Sequence, residues 1–132
     1  MKNILEKIIK EKKVIIERYK NSFNLENLKN KISNYNNYYN FKDKLKKNKT
    51  SVIAEIKKAS PSAGIIVENY DPVQIAQQYY NSGADCLSVL TEENYFKGKL
   101  KDIHEIKKKI NLPVLCKDFF IDPFQVYLAK SF

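Results

Sequence analysis

Three short apolar runs rich in β-branched residues, Val52–Ile56, Cys86–Leu90 and Val114–Cys116, begin 34 and then 28 residues apart. That interval accommodates a strand, a loop, a helix and the next strand, which is the repeat of an α/β protein. Asp71-Pro72 and Asp122-Pro123 each place a capping carboxylate before a proline at the first helical position, where the missing N–H is not needed. Leu100, Ile103, Ile106 and Ile110 mark the middle helix by their spacing, and Gly83 suits the end of the helix before it. Strands separated in this way pair in parallel through right-handed crossovers.

The glycines (64, 83, 98) and prolines (61, 72, 113, 123) all lie beyond residue 60, so the architecture changes near residue 50. Residues 1–50 read as a basic amino-terminal helical extension and residues 51–132 as three βα units. In the extension, Ile4, Leu5, Ile8, Ile9, Ile15, Ile16 and Tyr19 recur at helical spacing, which predicts an amphipathic helix over about residues 2–20. A second helix follows Asn24 as its cap, and Phe41 with Leu45 marks a short third. The polar linker from Asn34 to Asn40 is rich in tyrosine. Without glycine or arginine around them, packing accounts for these rings better than a base-stacking platform does.

The net charge of +9 resides wholly in residues 1–50, which hold 14 Lys+Arg against 5 Asp+Glu. Arg18 is the single arginine there, and the rest of the segment is the Lys, Asn, Ile and Tyr that an A/T-rich genome favours. A solvated lysine face explains this excess better than nucleic-acid binding. No apolar run approaches membrane-spanning length. Glu6, Glu11 and Glu17 interrupt the amino-terminal lysines, so no signal or transit peptide is expected and the location expected is cytoplasmic. Cys86 and Cys116 stand alone in apolar runs without metal-type spacing, which predicts buried free thiols rather than a disulfide or a zinc site.

The chemistry concentrates at strand ends. Glu55 and Lys57 are two residues apart on the first strand and point the same way, just before the small-residue turn Ser60-Pro61-Ser62-Ala63-Gly64. Thr91 and Glu92 follow the second strand, and Lys117 and Asp118 end the third. In a parallel sheet those ends share one rim, so Glu55, Lys57 and Lys117 converge on one ligand. With Phe96 and Phe119 near in sequence, an aromatic, anionic substrate fits. Taken singly, Glu55 and Lys57 equally describe a solvated ion pair on an edge strand, Lys117 a surface lysine, and the two phenylalanines plain core.

Taken together, Ile53-Ala54-Glu55-Ile56-Lys57-Lys58-Ala59-Ser60-Pro61-Ser62, Tyr70-Asp71-Pro72, Ser88-Val89-Leu90-Thr91-Glu92, Tyr95-Phe96-Lys97-Gly98 and the stretch from Leu112 to Pro123 closely resemble the indole-3-glycerol phosphate synthases of tryptophan biosynthesis. The segments stand in the family's order over roughly residues 50–130, and the helices before them resemble the family's extra amino-terminal helices. Ala63 departs from the pattern, since many members carry Lys before the glycine. The resemblance implies a (β/α)₈ TIM barrel and a carboxy-lyase. Its reaction closes the indole ring of 1-(2-carboxyphenylamino)-1-deoxyribulose 5-phosphate, releasing carbon dioxide and water, with no metal or organic cofactor. It implies that Lys117 is the general acid, Glu55 the assisting carboxylate and Lys57 the cation facing the substrate's anionic groups. Ser60, Pro61 and Ser62 then lie beside the substrate carboxylate, and Phe96 and Phe119 form aromatic walls.

A complete barrel takes about 250 residues, whereas three βα units leave an unpaired sheet edge and a bare interior face. The 132 residues alone are therefore expected to be inactive. Three readings stay open: the front part of a lyase whose barrel is completed elsewhere or by a second chain, a non-catalytic remnant, or a basic protein that holds an anionic partner such as nucleic acid.

Overall fold

A computed structural model describes residues 3–47 and 50–132. The chain runs α1 (Ile4–Ser22), α2 (Leu25–Ser33), α3 (Phe41–Lys46), β1 (Ile53–Ile56), β2 (Ala59–Ser60), β3 (Gly64–Ile65), α4 (Pro72–Asn81), β4 (Cys86–Leu90), α5 (Leu100–Lys107), β5 (Val114–Lys117) and α6 (Pro123–Lys130). These elements fall into two compact units, Tyr38–Asp118, and Met1–Asn37 with Phe119–Phe132.

In the first of these units β1, β4 and β5 form a parallel sheet in that order. Register pairs Ala54 with Leu87 and Leu87 with Val114, then Ile56 with Val89 and Val89 with Cys116. Because side chains alternate, those six share one face. Against it pack Ala76 of α4, Ile103 and Ile106 of α5, and Ile110 and Leu112 beyond it, giving one apolar core. Each large aliphatic side chain buried there contributes about 1.5–3 kcal/mol, so this face holds the unit together. The opposite face carries Ile53, Glu55, Ser88, Leu90, Leu115 and Lys117. Ile53 and Leu115 are each 46% exposed on it. A parallel sheet with helices on one face and apolar side chains on the other is the arrangement of the first βα units of a (β/α)₈ barrel.

The caps explain where the helices start. Asp71 Oδ1 accepts from the N–H of Val73 and of Gln74, both at 3.0 Å, with Pro72 at the first helical position. Past the other end of α4, Gly83 takes a left-handed φ of +89°. Helix α3 lies beside β4 and is tied to the start of β1 by Ser51 Oγ, which donates to the Leu45 carbonyl at 2.8 Å.

The second unit joins α6 to α2 and α1. Ile8, Lys12, Ile15 and Ile16 form the buried stripe of α1. Helix α6 has a full capping box, with Asp122 Oδ1 accepting from Phe124 N–H at 2.8 Å and Gln125 Oε1 accepting from Asp122 N–H at 3.0 Å. Lys20 bridges Asp122 at 2.8 Å and Glu17 at 3.1 Å. Asn24 caps α2 as its position predicts, and Asn3 and Asn40 do the same for α1 and α3.

Two details differ from the sequence reading. The Ser-Pro-Ser segment is not a plain loop: β2 and β3 form a two-residue antiparallel ladder, with Gly64 at φ +65° turning the chain. Cys86 is buried as expected, but Cys116 is only partly so; both are free thiols. Among the described residues no helix is long and apolar enough to cross a membrane.

Gly98 stands against the end of β4. A Cβ there would collide with the Leu90 carbonyl oxygen and lie 2.6 Å from its carbonyl carbon, whereas a Cβ on Gly83 would meet nothing. Gly98→Ala is therefore expected to destabilise the protein by about 2–3 kcal/mol through overpacking against backbone. Gly83→Ala should lose only the roughly 1 kcal/mol of a left-handed residue. Urea unfolding of the two variants side by side checks the order.

Candidate functional site

Register places the charged residues before any side-chain contact does. Glu55 on β1 pairs with Ser88 on β4, which pairs with Leu115 on β5; Leu90 of β4, two residues beyond Ser88, pairs with Lys117. Glu55 and Lys117 thus share the face opposite the helices, one on each side of the central strand. Their side chains meet there: Lys117 Nζ donates to Glu55 Oε2 at 2.8 Å, and Lys57 Nζ lies 3.3 Å from Glu55 Oε1. One carboxylate is shared by two ammonium groups from different strands, which leaves one cationic group in excess.

Burial pushes the Glu55 carboxyl up, but the hydrogen bonds from Lys117 and Lys57, reinforced by their charges, outweigh it and hold Glu55 below its ordinary value of 4.5. The three side chains are between 32% and 53% exposed. Ion pairs that open to water contribute about 0–1 kcal/mol each, so stability alone does not account for the cluster. Behind it, the Tyr79 hydroxyl of α4 donates to the Glu55 carbonyl at 3.1 Å and ties the strand end to the helix layer.

Lys58, next to Lys57 along the chain, goes the other way. Its Nζ sits 5.9 Å from the centre of the Tyr70 ring. The Tyr70 hydroxyl has no hydrogen-bond partner among the described residues, and its pKa is raised by burial and by the charge of Asp102. Asp102 is raised in turn, chiefly by burial.

The remaining expected residues sit nearby in sequence but keep their own company. Ser60 Oγ accepts from Ala63 N–H at 3.2 Å and lies 3.4 Å from Ser62 Oγ, so the hydroxyls organise the β2–β3 turn, with Pro61 exposed at its start. Phe96 belongs to the loop after β4, where its N–H donates to Glu92 Oε2 at 3.0 Å. Phe119 lies in the unit of α1, α2 and α6, where its carbonyl accepts from Gln125 Nε2 at 2.8 Å. The structure therefore brings Glu55, Lys57 and Lys117 together.

Two residues noted in the sequence only as strand-end polar groups turn out to build the rim. The carboxylate of Glu92, 2% exposed, accepts from the N–H groups of Asn94, Tyr95 and Phe96 at 3.0, 2.7 and 3.0 Å, shaping the loop. Thr91 Oγ1 donates to Asp118 Oδ2 at 2.8 Å and lies 3.4 Å from Cys116 Sγ. Strand alternation, which puts residues 91, 116 and 118 on one face, was the signal that could have grouped them. Among the described residues no three His, Cys, Asp or Glu side chains are grouped so as to hold a metal ion.

Comparison with known proteins bears on this geometry. The family model described as indole-3-glycerol phosphate synthase matches residues 5–132. Curated relatives of that name include those of Acaryochloris marina, 46% identical, and Microcystis aeruginosa, 42% identical, each aligned over 98% of this chain. That of Prochlorococcus marinus subsp. pastoris is 44% identical over 98% of the chain. In all three the match covers 44% of the relative, so the chain spans less than half the length of these proteins.

The lowered Glu55 carboxyl fixes a pH dependence. The folded state binds fewer protons than the unfolded chain between the two values, so the contribution is present above the ordinary carboxylate range and lost as pH falls through the folded value. Glu55→Gln should flatten that acid-side loss. Urea midpoints of both proteins between about pH 6 and pH 3 should converge at the acid end. Parallel curves would show that the two lysines do not hold the carboxylate in solution.

Proposed function

The chain belongs to the indole-3-glycerol phosphate synthase family, and on that premise we propose that Glu55, Lys57 and Lys117 form part of a site that closes the indole ring of 1-(2-carboxyphenylamino)-1-deoxyribulose 5-phosphate. The observation that carries this reading is the single carboxylate shared by two lysines at the ends of β1 and β5. Such a cluster offers a proton donor already oriented by a hydrogen bond and a second cation whose charge the shared carboxylate only partly offsets.

In the proposed reaction Lys117 gives a proton to the substrate's carbonyl oxygen. The ring carbon that bears the carboxylate then attacks the activated carbonyl carbon, forming the new carbon–carbon bond. Carbon dioxide leaves as the electrons of its bond return to the ring; the new hydroxyl then takes up a proton and departs as water while the adjacent nitrogen-bearing CH2 loses a proton, which forms the double bond of the indole. Glu55 keeps the ammonium of Lys117 directed at the oxygen, and Lys57 balances the substrate's negative charge. A proton donor held in place in this way is worth about 10²–10⁴-fold in rate. Ser60, Pro61 and Ser62 are proposed to border the substrate carboxylate, and Phe96 to flank its ring.

The substrate's phosphate calls for donors beyond this cluster. In a barrel of this type they come from the loops after the seventh and eighth strands. The exposed Ile53 and Leu115, and the edges of β1 and β5 that no described strand pairs, support completion of the barrel by further βα units, on the same polypeptide or on a second chain. With the barrel completed, Lys117→Ala should lower ring closure by about 10²-fold or more with the fold intact, followed by formation of the indole product. Turnover within a few-fold of the unaltered protein would remove Lys117 from the mechanism.

A further inference from the structure

We propose that Thr91 is a positioning residue for Lys117, acting by gripping the two residues on either side of it. This inference rests on the functional reading above, because it concerns how the proposed proton donor is aimed.

Thr91 touches the end of β5 three times. Its N–H donates to the Lys117 carbonyl at 3.0 Å, which extends the ladder between β4 and β5. Its hydroxyl donates to Asp118 Oδ2 at 2.8 Å and lies 3.4 Å from Cys116 Sγ. With its proton given to Asp118, the hydroxyl meets the thiol as acceptor, so Cys116 supplies the S–H of that contact. Thr91 is 2% exposed, so water does not compete for these bonds.

Strand geometry turns that grip into aim. Residues 116 and 118 project on the helix side and residue 117 projects on the other. Pinning 116 and 118 to one hydroxyl fixes the backbone of 117 between them, and with it the direction of its Cα–Cβ bond. Lys117 has four further rotatable bonds and its side chain is 53% exposed, so nothing in its own packing holds it as firmly. Glu55 anchors the far end of the side chain and Thr91 anchors the near end. The backbone bond explains why the strands pair; the hydroxyl is surplus to that pairing, since valine would fill the same space and suit a strand as well.

The test compares Thr91→Val, which keeps shape and ladder but loses the hydroxyl, with Thr91→Ser, which keeps the hydroxyl. Carbon-detected NMR titration of the Glu55 carboxyl reads the Lys117 contact directly. In Thr91→Val the Glu55 value should rise toward that of an ordinary carboxylate as Lys117 leaves it, and in Thr91→Ser it should stay low. Where the unaltered protein turns over the substrate, Thr91→Val should also lower kcat by about 10–10²-fold with KM little changed, as expected for a misaimed donor. Thr91→Ser should restore it. If the protein forms no indole product even with its barrel completed, the functional reading fails while the Glu55 titration still decides the role of Thr91. Should Thr91→Val not fold, Asp118→Ala removes the 2.8 Å bond with Thr91 in place and is expected to shift Glu55 in the same direction. An unshifted Glu55 titration in a folded Thr91→Val or Asp118→Ala protein overturns the proposal.

Discussion

Everything at the strand ends depends on the register of β4 between its two neighbours. Glu55 meets Ser88 and Lys117 meets Leu90, so the two charged residues share a face only because the pairings on both sides of β4 keep the same parity. A slip of one residue on either side would send one of them into the helix-facing core and bring an aliphatic side chain out. That outcome is costly, because β4 is buried along its whole length and Ile56, Leu87 and Val89 are fully enclosed on the helix side. The apolar core therefore selects the register, and the register assembles the charges. The apolar core and the charged cluster sit on opposite faces of one sheet, with the first enforcing the second.

This separation explains why the cluster tolerates exposure. An ion pair open to water stabilises weakly, and the Glu55 trio has no core function to lose. Its geometry is supplied from behind, by the Tyr79 hydroxyl on the Glu55 carbonyl and by the backbone bond from Thr91 to Lys117. The loop after β4 is held by a different device, a buried carboxylate that gathers three consecutive N–H groups. Such a carboxylate stands in for the backbone carbonyls that a helix would have supplied. Gly98 then lets the returning chain lie directly on the end of β4, with its N–H bonded to the Glu92 carbonyl at 2.8 Å.

What was legible in the sequence was whatever leaves a local trace. The Asp-Pro caps located the starts of α4 and α6 to the residue, and the β-branched runs located β1, β4 and β5 within a residue of their ends. Glu55, Lys57 and Lys117 could be grouped because a parallel sheet gathers strand ends on one rim, a rule that needs only the strand assignments. The β2–β3 ladder left no such trace, since two-residue strands are too short for any periodicity and Pro61 and Gly64 read simply as turn. Asn3 and Asn40 were hidden by abundance: in a segment rich in asparagine, a capping asparagine looks like its neighbours. Thr91 was seen as a polar strand end, but its three contacts with β5 depend on the register of a strand 25 residues away, which one strand's pattern does not specify.

The charge at the site differs in kind from the charge of the chain. The excess of +9 lies in residues 1–50, while residues 51–132 are balanced. The cationic group in excess beside Glu55 is thus a result of placement rather than of composition. An anion arriving there meets two ammonium groups already engaged by one carboxylate, so it must compete with Glu55 for them. A singly bonded surface anion gains little from that exchange. A ligand that engages Lys57 with one group while presenting an acceptor to Lys117 leaves Glu55 its own hydrogen bond and adds new ones. On the reading proposed above, the shared carboxylate favours a ligand with two separated acceptors over a simple ion.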